Sequence, residues 1–283
     1  MTPQINKIIS RFKTSSFYLY TMNINLNGKR AVVCGSTQGI GLAIANELAA
    51  MGASLTLVAR NEAGLQAVCS ALPTSVGQDH QYLVADFSDL TAFQQALTSW
   101  QRKGQPVHIL VNNTGGPPGG PVTEAKADDF MATFRQHLVC NHLLVQAFLG
   151  SMKTEKYGRI INIISTSVKQ PLKGLGVSNT VRAAVANWAK TLANEVAPFG
   201  ITVNNVIPGA TKTLRLSTLI AARSEKSGKE IAELEDEMTG EIPMGRFAEP
   251  SEIAAAVAFL ASPAASYITG INLPVDGGRT GCL

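Results

Sequence analysis

"RAVVCGSTQGIGLA", residues 30–43, joins a short apolar run to a glycine-rich turn and then to the start of an amphipathic segment. Gly35, Gly39 and Gly41 follow a GxxxGxG spacing, with Ser36, Thr37 and Ile40 between them. Glycine permits a tight turn and lets backbone N–H groups approach a pyrophosphate, which the positive end of a helix favours. Glycines alone are weak evidence. Their setting, between a predicted strand and a predicted helix, makes this a candidate phosphate loop.

Working outward, the same strand–turn–helix grammar repeats. Apolar runs recur as "SLTLVAR", "QYLVAD", "HILVNN", "RIINIIS", "ITVNNVIP" and "GINLPVDGG". Helical patterns fall near 40–52, 62–71, 89–103, 124–153, 177–198 and 250–262. Near-continuous apolar strands alternating with helices predict a parallel sheet covered on both faces. The expected architecture is therefore α/β: one Rossmann-like domain over 25–283 with a doubly wound, seven-stranded parallel sheet. Residues 211–245 are too charged for core and are expected to form a helical flap over the strand C-termini.

The bulk properties narrow the function. The 283 residues carry 45% hydrophobic and 16% charged side chains, as an ordinary globular protein does. No run of 18 apolar residues suggests a membrane span. Much of the net charge of +4 comes from Lys7, Arg11 and Lys13 in an acid-free leader. Beyond residue 21 there are 21 basic against 20 acidic groups, so no basic patch argues for nucleic acid. Residues 1–24 read as an extension, either a targeting segment or sequence preceding a start at Met22. Cys34, Cys69, Cys140 and Cys282 show no metal-ligand spacing, so no metal site is expected. They read as reduced thiols of a cytoplasmic protein.

The end of the second strand, "LVARN", lacks the acidic residue that would hold an NAD ribose. Arg60 stands there instead and suits a 2′-phosphate, so NADP(H) is expected as cofactor rather than NAD(H).

These motifs, with "VADFSD" (84–89), "NNTGG" (112–116), "VNNVIPGATKT" (203–213), "MGRFAEPSEIA" (244–254) and "SYITGINLPVDGG" (266–278), resemble the short-chain dehydrogenase/reductase family, near its 3-oxoacyl-ACP reductase-like members. The resemblance covers residues 25–283. It implies that Asp86 and Phe87 flank the adenine, that Asn112 supports the central sheet, and that Thr114 and Gly115 run along the cofactor. Pro208, Gly209 and Thr211 would then meet the nicotinamide carboxamide. It also implies a small carbonyl or alcohol substrate and a homotetramer using the 124–153 and 177–198 helices.

The resemblance breaks at the chemistry. Family members carry asparagine, serine, tyrosine and lysine, the tyrosine exchanging a proton with the substrate oxygen. Here Ser165 matches the serine, but Ser178 stands at the tyrosine, Arg182 at the lysine and His137 at the asparagine. The pattern "SNxxR" in place of YxxxK resembles a divergent branch of the same family. Arginine keeps the positive charge and several donors, so Arg182 is expected to bind the nicotinamide ribose of the cofactor, but it cannot relay protons. Serine is too weak an acid to replace tyrosine unaided. His137 alone has an ordinary pKa suited to acid–base work, and packing between helices is an equal reading of it. Lys169 and Lys173 follow Ser165 and are candidates to approach a substrate. His80, His108 and His142 read as packing residues, and Tyr18, Tyr20, Tyr82, Tyr157 and Tyr267 as too distant to help. Two expectations follow: an NADP(H)-dependent oxidoreductase with altered acid–base chemistry, or a catalytically silent NADP(H)-binding protein.

Overall fold

A computed structural model describes residues 21–282; residues 1–20 of the expected extension, with Tyr18 and Tyr20, lie outside the described residues. Strands β1 (Arg30–Cys34), β2 (Ser54–Ala59), β3 (Gln81–Val84), β4 (Ile109–Asn112), β5 (Gly158–Ile163), β6 (Ile201–Pro208) and β7 (Asn272–Val275) form one sheet. Its order is β3-β2-β1-β4-β5-β6-β7, with every pairing parallel.

Successive residues of a strand face opposite sides of a sheet, so buried parallel strands feed two cores. Ala31 and Val33 of β1 join Ile44 and Leu48 of α1 (Gly39–Ala50) and Ile253, Val257 and Leu260 of α9 (Pro250–Ala261). Val32 and Cys34 instead face Phe93, Leu97 and Trp100 of α3 (Leu90–Gln101), Leu144, Phe148 and Met152 of α5 (Cys140–Thr154), and Ala189 and Ala193 of α6 (Gly176–Val196). The remaining helices are α2 (Glu62–Ala71), α4 (Ala127–Phe134), α7 (Leu214–Ser227) and α8 (Ile231–Gly240).

Local sequence sets the helix starts. Asn61 caps α2 by accepting from Gly64 N, Asp89 caps α3 from Ala92 N, and Thr213 caps α7 from Leu216 N. The α1 start is different: Gln38 offers no side-chain cap and the first turn carries no acidic residue. Its N–H groups are thus left for another acceptor.

The long helix expected over 124–153 is broken. A π turn, Arg135–Val139, separates α4 from α5, with the Cys140 N–H bonding back to the Arg135 carbonyl. The expected flap is two helices, α7 and α8, packed on a small core of Ile220, Leu234, Ile242 and Phe247. Residues that follow β1, β4, β5 and β6 and residues of the flap thus meet at one end of the sheet.

Candidate active site

A cleft of about 840 Å³ opens where β1 stands between β2 and β4, the point at which the chain reverses direction across the sheet. It runs from Arg60 and Asp86 at one end to Leu219 and Met238 of the flap at the other.

The glycine loop forms its floor. Gly35 and Gly39 adopt left-handed backbone, at φ 62° and 55°. A Cβ on Gly41 would stand 2.0 Å from the Gly35 carbonyl oxygen, so no other residue fits there without moving backbone. Asn113 holds this turn: its Nδ2 donates to the carbonyls of Cys34 (3.2 Å) and Gly35 (3.4 Å). This residue supports the loop and lines the cleft, yet it was not among the expected site residues; the signal was the second asparagine of "NNTGG". The uncapped α1 start, the glycine cradle and the absence of first-turn acid together fit a pyrophosphate.

At the outer end, Arg60 Nη1 lies 4.0 Å from Asp86 Oδ2, and the Arg60 side chain is 76% exposed. It is therefore free to meet a further anion. Burial pushes the Asp86 carboxyl up, but the Ser88 N–H and hydroxyl bonds and the Arg60 charge hold it below its ordinary value. Thr37, Ile40, Phe87, Thr114, Gly115, Pro208, Gly209 and Thr211 also line the cleft.

Four expected residues stand behind the wall rather than on it. Gly41 is packed against the Gly35 carbonyl, and Ser36 is fully buried with an unpartnered Oγ. Asn112 belongs to an amide ladder. Its Nδ2 donates to Asn162 Oδ1, Asn162 Nδ2 to Asn205 Oδ1, and Asn205 Nδ2 to Asn272 Oδ1, each at 2.8 Å. Those four asparagines lie in register on β4, β5, β6 and β7, and so tie the strands whose ends carry the site. His137 is the fourth.

The chemical end of the cleft gathers Ser165, Ser178 and Arg182. Ser165 follows β5, and its Oγ accepts from Ser167 N at 3.1 Å. Ser178 and Arg182 lie one turn apart on α6, and Ser178 Oγ accepts from Arg182 Nε at 3.3 Å. Each serine oxygen thus accepts a protein hydrogen bond, leaving its own O–H to donate elsewhere. Arg182 Nη1 donates to the carbonyls of Ile163 (3.2 Å) and Ile164 (2.8 Å). Desolvation, then the charge of Arg215, pulls the Arg182 pKa down to about 10. The group still carries its charge at neutral pH.

His137 sits in the π turn, 4% exposed, with Nε2 unpartnered among protein groups. Burial and the neighbouring Arg182 charge lower its pKa to about 3, against the opposing pull of a hydrogen bond with the Gly115 backbone. The ring beside Arg182 is therefore a neutral imidazole.

Among the described residues, no tyrosine or lysine lines the cleft. Tyr157 donates to the Ala261 carbonyl, Tyr82 to Glu62, and Tyr267 is fully exposed. Lys169 and Lys173 lie outside the cleft wall. His80 and His108 accept backbone N–H bonds from Leu55 and Arg30, and His142 packs edge-on to Trp188. The Cys34 and Cys140 thiols are pushed up to about 12, mainly by burial, and are inert. Among the described residues there is no metal-binding cluster, and no helix is long and apolar enough to cross a membrane.

Sheet order, uncapped glycine turn and cleft together define a doubly wound dinucleotide-binding protein. Residues 35–280 match the family described as enoyl-(acyl carrier protein) reductase. The 3-oxoacyl-[acyl-carrier-protein] reductase FabG of Haemophilus influenzae is 36% identical over 253 residues, spanning 89% of this chain and 98% of that protein. The L-sorbose reductase of Gluconobacter frateurii, solved with NADPH and L-sorbose, superposes with a TM-score of 0.86 at 30% identity, over 93% and 100% of the two chains. A variant of the actinorhodin polyketide ketoreductase solved with NADPH gives 0.82 at 31% identity, over 90% and 98%. The chain belongs to the short-chain dehydrogenase/reductase family.

Proposed function

We propose that this protein is an NADP(H)-dependent oxidoreductase acting on a carbonyl or alcohol with a rearranged active site. The observation that carries this reading is one continuous cleft joining the glycine loop and Arg60 to Ser165, Ser178 and Arg182. Relatives solved with NADPH support the choice of cofactor. When bound, NADPH supplies a hydride to the substrate carbonyl carbon.

The chain's own residues supply the rest. The α1 N-terminus and the glycine loop hold the pyrophosphate, and Arg60 takes the 2′-phosphate. Ser165 and Ser178 donate hydrogen bonds to the substrate oxygen, since each hydroxyl accepts one protein hydrogen bond and has its single O–H free. Arg182 stabilises negative charge developing on that oxygen, an electrostatic role that needs no proton loss from the guanidinium. The final proton comes from water, handed through Ser178, while the Ile163 and Ile164 carbonyls keep Arg182 in place. Such a site lacks the tyrosine's contribution, and general acid–base catalysis is worth about 10²–10⁴-fold, so turnover is slow. Assembly as a cytoplasmic homotetramer belongs to the same reading, supported by the exposed Met131 and Phe134 on α4.

A second reading, a catalytically silent NADP(H)-binding protein, draws on the lack of any tyrosine or lysine on the cleft wall among the described residues. NADPH oxidation over a panel of carbonyl substrates separates the two. The oxidoreductase reading expects turnover in the wild type, lost in Arg182→Ala and surviving in part in His137→Ala. Tight NADPH binding with no turnover on any substrate leaves the silent reading.

A further inference from the structure

The chemical end of the cleft holds two arginines that no acidic residue partners among the described residues. Arg182 comes from α6 and Arg215 from the first turn of α7 in the flap. Neither takes part in an ion pair among the described residues. Arg182 uses Nε and Nη1 on Ser178 and on the Ile163 and Ile164 carbonyls, which leaves Nη2 without a hydrogen bond. Arg215 Nη2 donates to the Pro117 carbonyl at 2.6 Å, which ties the flap to the loop after β4.

Both Nη2 atoms converge on one spot. A Cβ on Gly116 would lie 3.4 Å from Arg182 Nη2 and 3.8 Å from Arg215 Nη2. Gly116 puts no side chain between them, and Arg182, Arg215 and Gly116 all line the cleft. Two like charges held this close without a counter-ion repel each other. An anion placed between them removes that repulsion and gains charge-assisted bonds. Asp86, the one carboxylate on the cleft wall among the described residues, lies beside Arg60 at the other end and cannot serve.

We infer that the gap over Gly116 is a subsite for the carboxylate of a small oxo-acid or hydroxy-acid substrate, held between Arg182 and Arg215. This rests on the reading of the cleft as an NADP(H) oxidoreductase site and adds the substrate's chemical class. The forked guanidinium geometry matches a planar carboxylate. The reacting carbonyl then falls next to Ser165 and Ser178, on the same wall.

The test is a binding measurement on the NADPH-loaded protein. Pyruvate, 2-oxobutyrate, acetoacetate and levulinate are titrated against the fluorescence of bound NADPH, each beside its methyl ester. At least one acid should bind ten-fold or more tightly than its ester. Arg215→Gln should weaken that acid about ten-fold while leaving the ester unchanged and NADPH affinity within three-fold. Arg215→Lys should restore part of the preference, and Gly116→Ala, which narrows the gap without altering charge, should also weaken the acid. The inference is overturned if no acid binds better than its ester. It also fails if Arg215→Gln weakens NADPH as much as the acid, which would assign the pair to the cofactor's own phosphates. Turnover keeps the two readings apart. An acid that binds with this preference and is never reduced leaves the subsite standing and removes the reductase. Esters reduced as well as acids leave the reductase standing and remove the subsite.

Discussion

The two ends of the cleft obey different rules. At the cofactor end the essential features are backbone: left-handed glycines, an uncapped helix start and the Gly35–Gly41 contact. At the chemical end they are side chains, and three of the four positions that the family resemblance marks carry other residues. Backbone geometry tolerates almost no substitution, because a single Cβ destroys it. Side-chain chemistry can be exchanged while its scaffold survives, and the π turn and α6 are intact around His137, Ser178 and Arg182. A chain can therefore keep its cofactor seat while its proton chemistry is rebuilt.

That contrast is breakable at several strengths. Gly41→Ala should be the most damaging change, since its Cβ would sit 2.0 Å from the Gly35 oxygen and the neighbour is backbone. NADPH affinity, followed by fluorescence, should fall more than about a hundred-fold, the loss of more than one charge-assisted bond; near-normal affinity would show that the loop is not a rigid cradle. Arg60→Gln should act more narrowly. Loss of one charge-assisted contact is worth about ten- to a hundred-fold, so NADPH should weaken by that factor with NADH unchanged. Equal weakening of both would detach Arg60 from the 2′-phosphate.

A further effect concerns stability. His137 titrates at an ordinary 6.5 when unfolded but only at about 3 when folded. Between those values the unfolded chain binds the extra proton, so stability falls as pH drops, by up to about 1.4 kcal/mol per pH unit. His137→Asn should flatten the fall in Tm between pH 6.5 and 4. Some slope should remain, because His108 is also lowered, chiefly by burial. An unchanged slope would mean that His137 is charged or exposed in the folded state.

Most of the scaffold was legible because apolar period and turn residues are local properties. The runs from "RAVVCG" to "GINLPVDGG" became seven parallel strands, and 62–71 became α2 without adjustment. The π turn was hidden, since one extra residue in a helix barely disturbs its apolar pattern. The asparagine ladder was visible as Asn112, Asn162, Asn205 and Asn272 inside strands, where asparagine is disfavoured. Only register shows that they join into one hydrogen-bonded row. Likewise, residue type suggested His137 as an acid, whereas burial and Arg182, both tertiary facts, make it neutral. Arg215 escaped notice for the same reason: it reaches Gly116 only through the placement of the flap.

The central claim is that the intact cofactor seat still works with the rebuilt chemical end. NADPH deuterated at the transferring carbon, incubated with the protein and the oxo-acid panel, tests it most directly, since mass spectrometry detects even very slow transfer. The account predicts deuterium at the carbinol carbon of at least one hydroxy-acid product in the wild type and none with Arg182→Ala. Saturated NADPH binding with no deuterium in any product would contradict it.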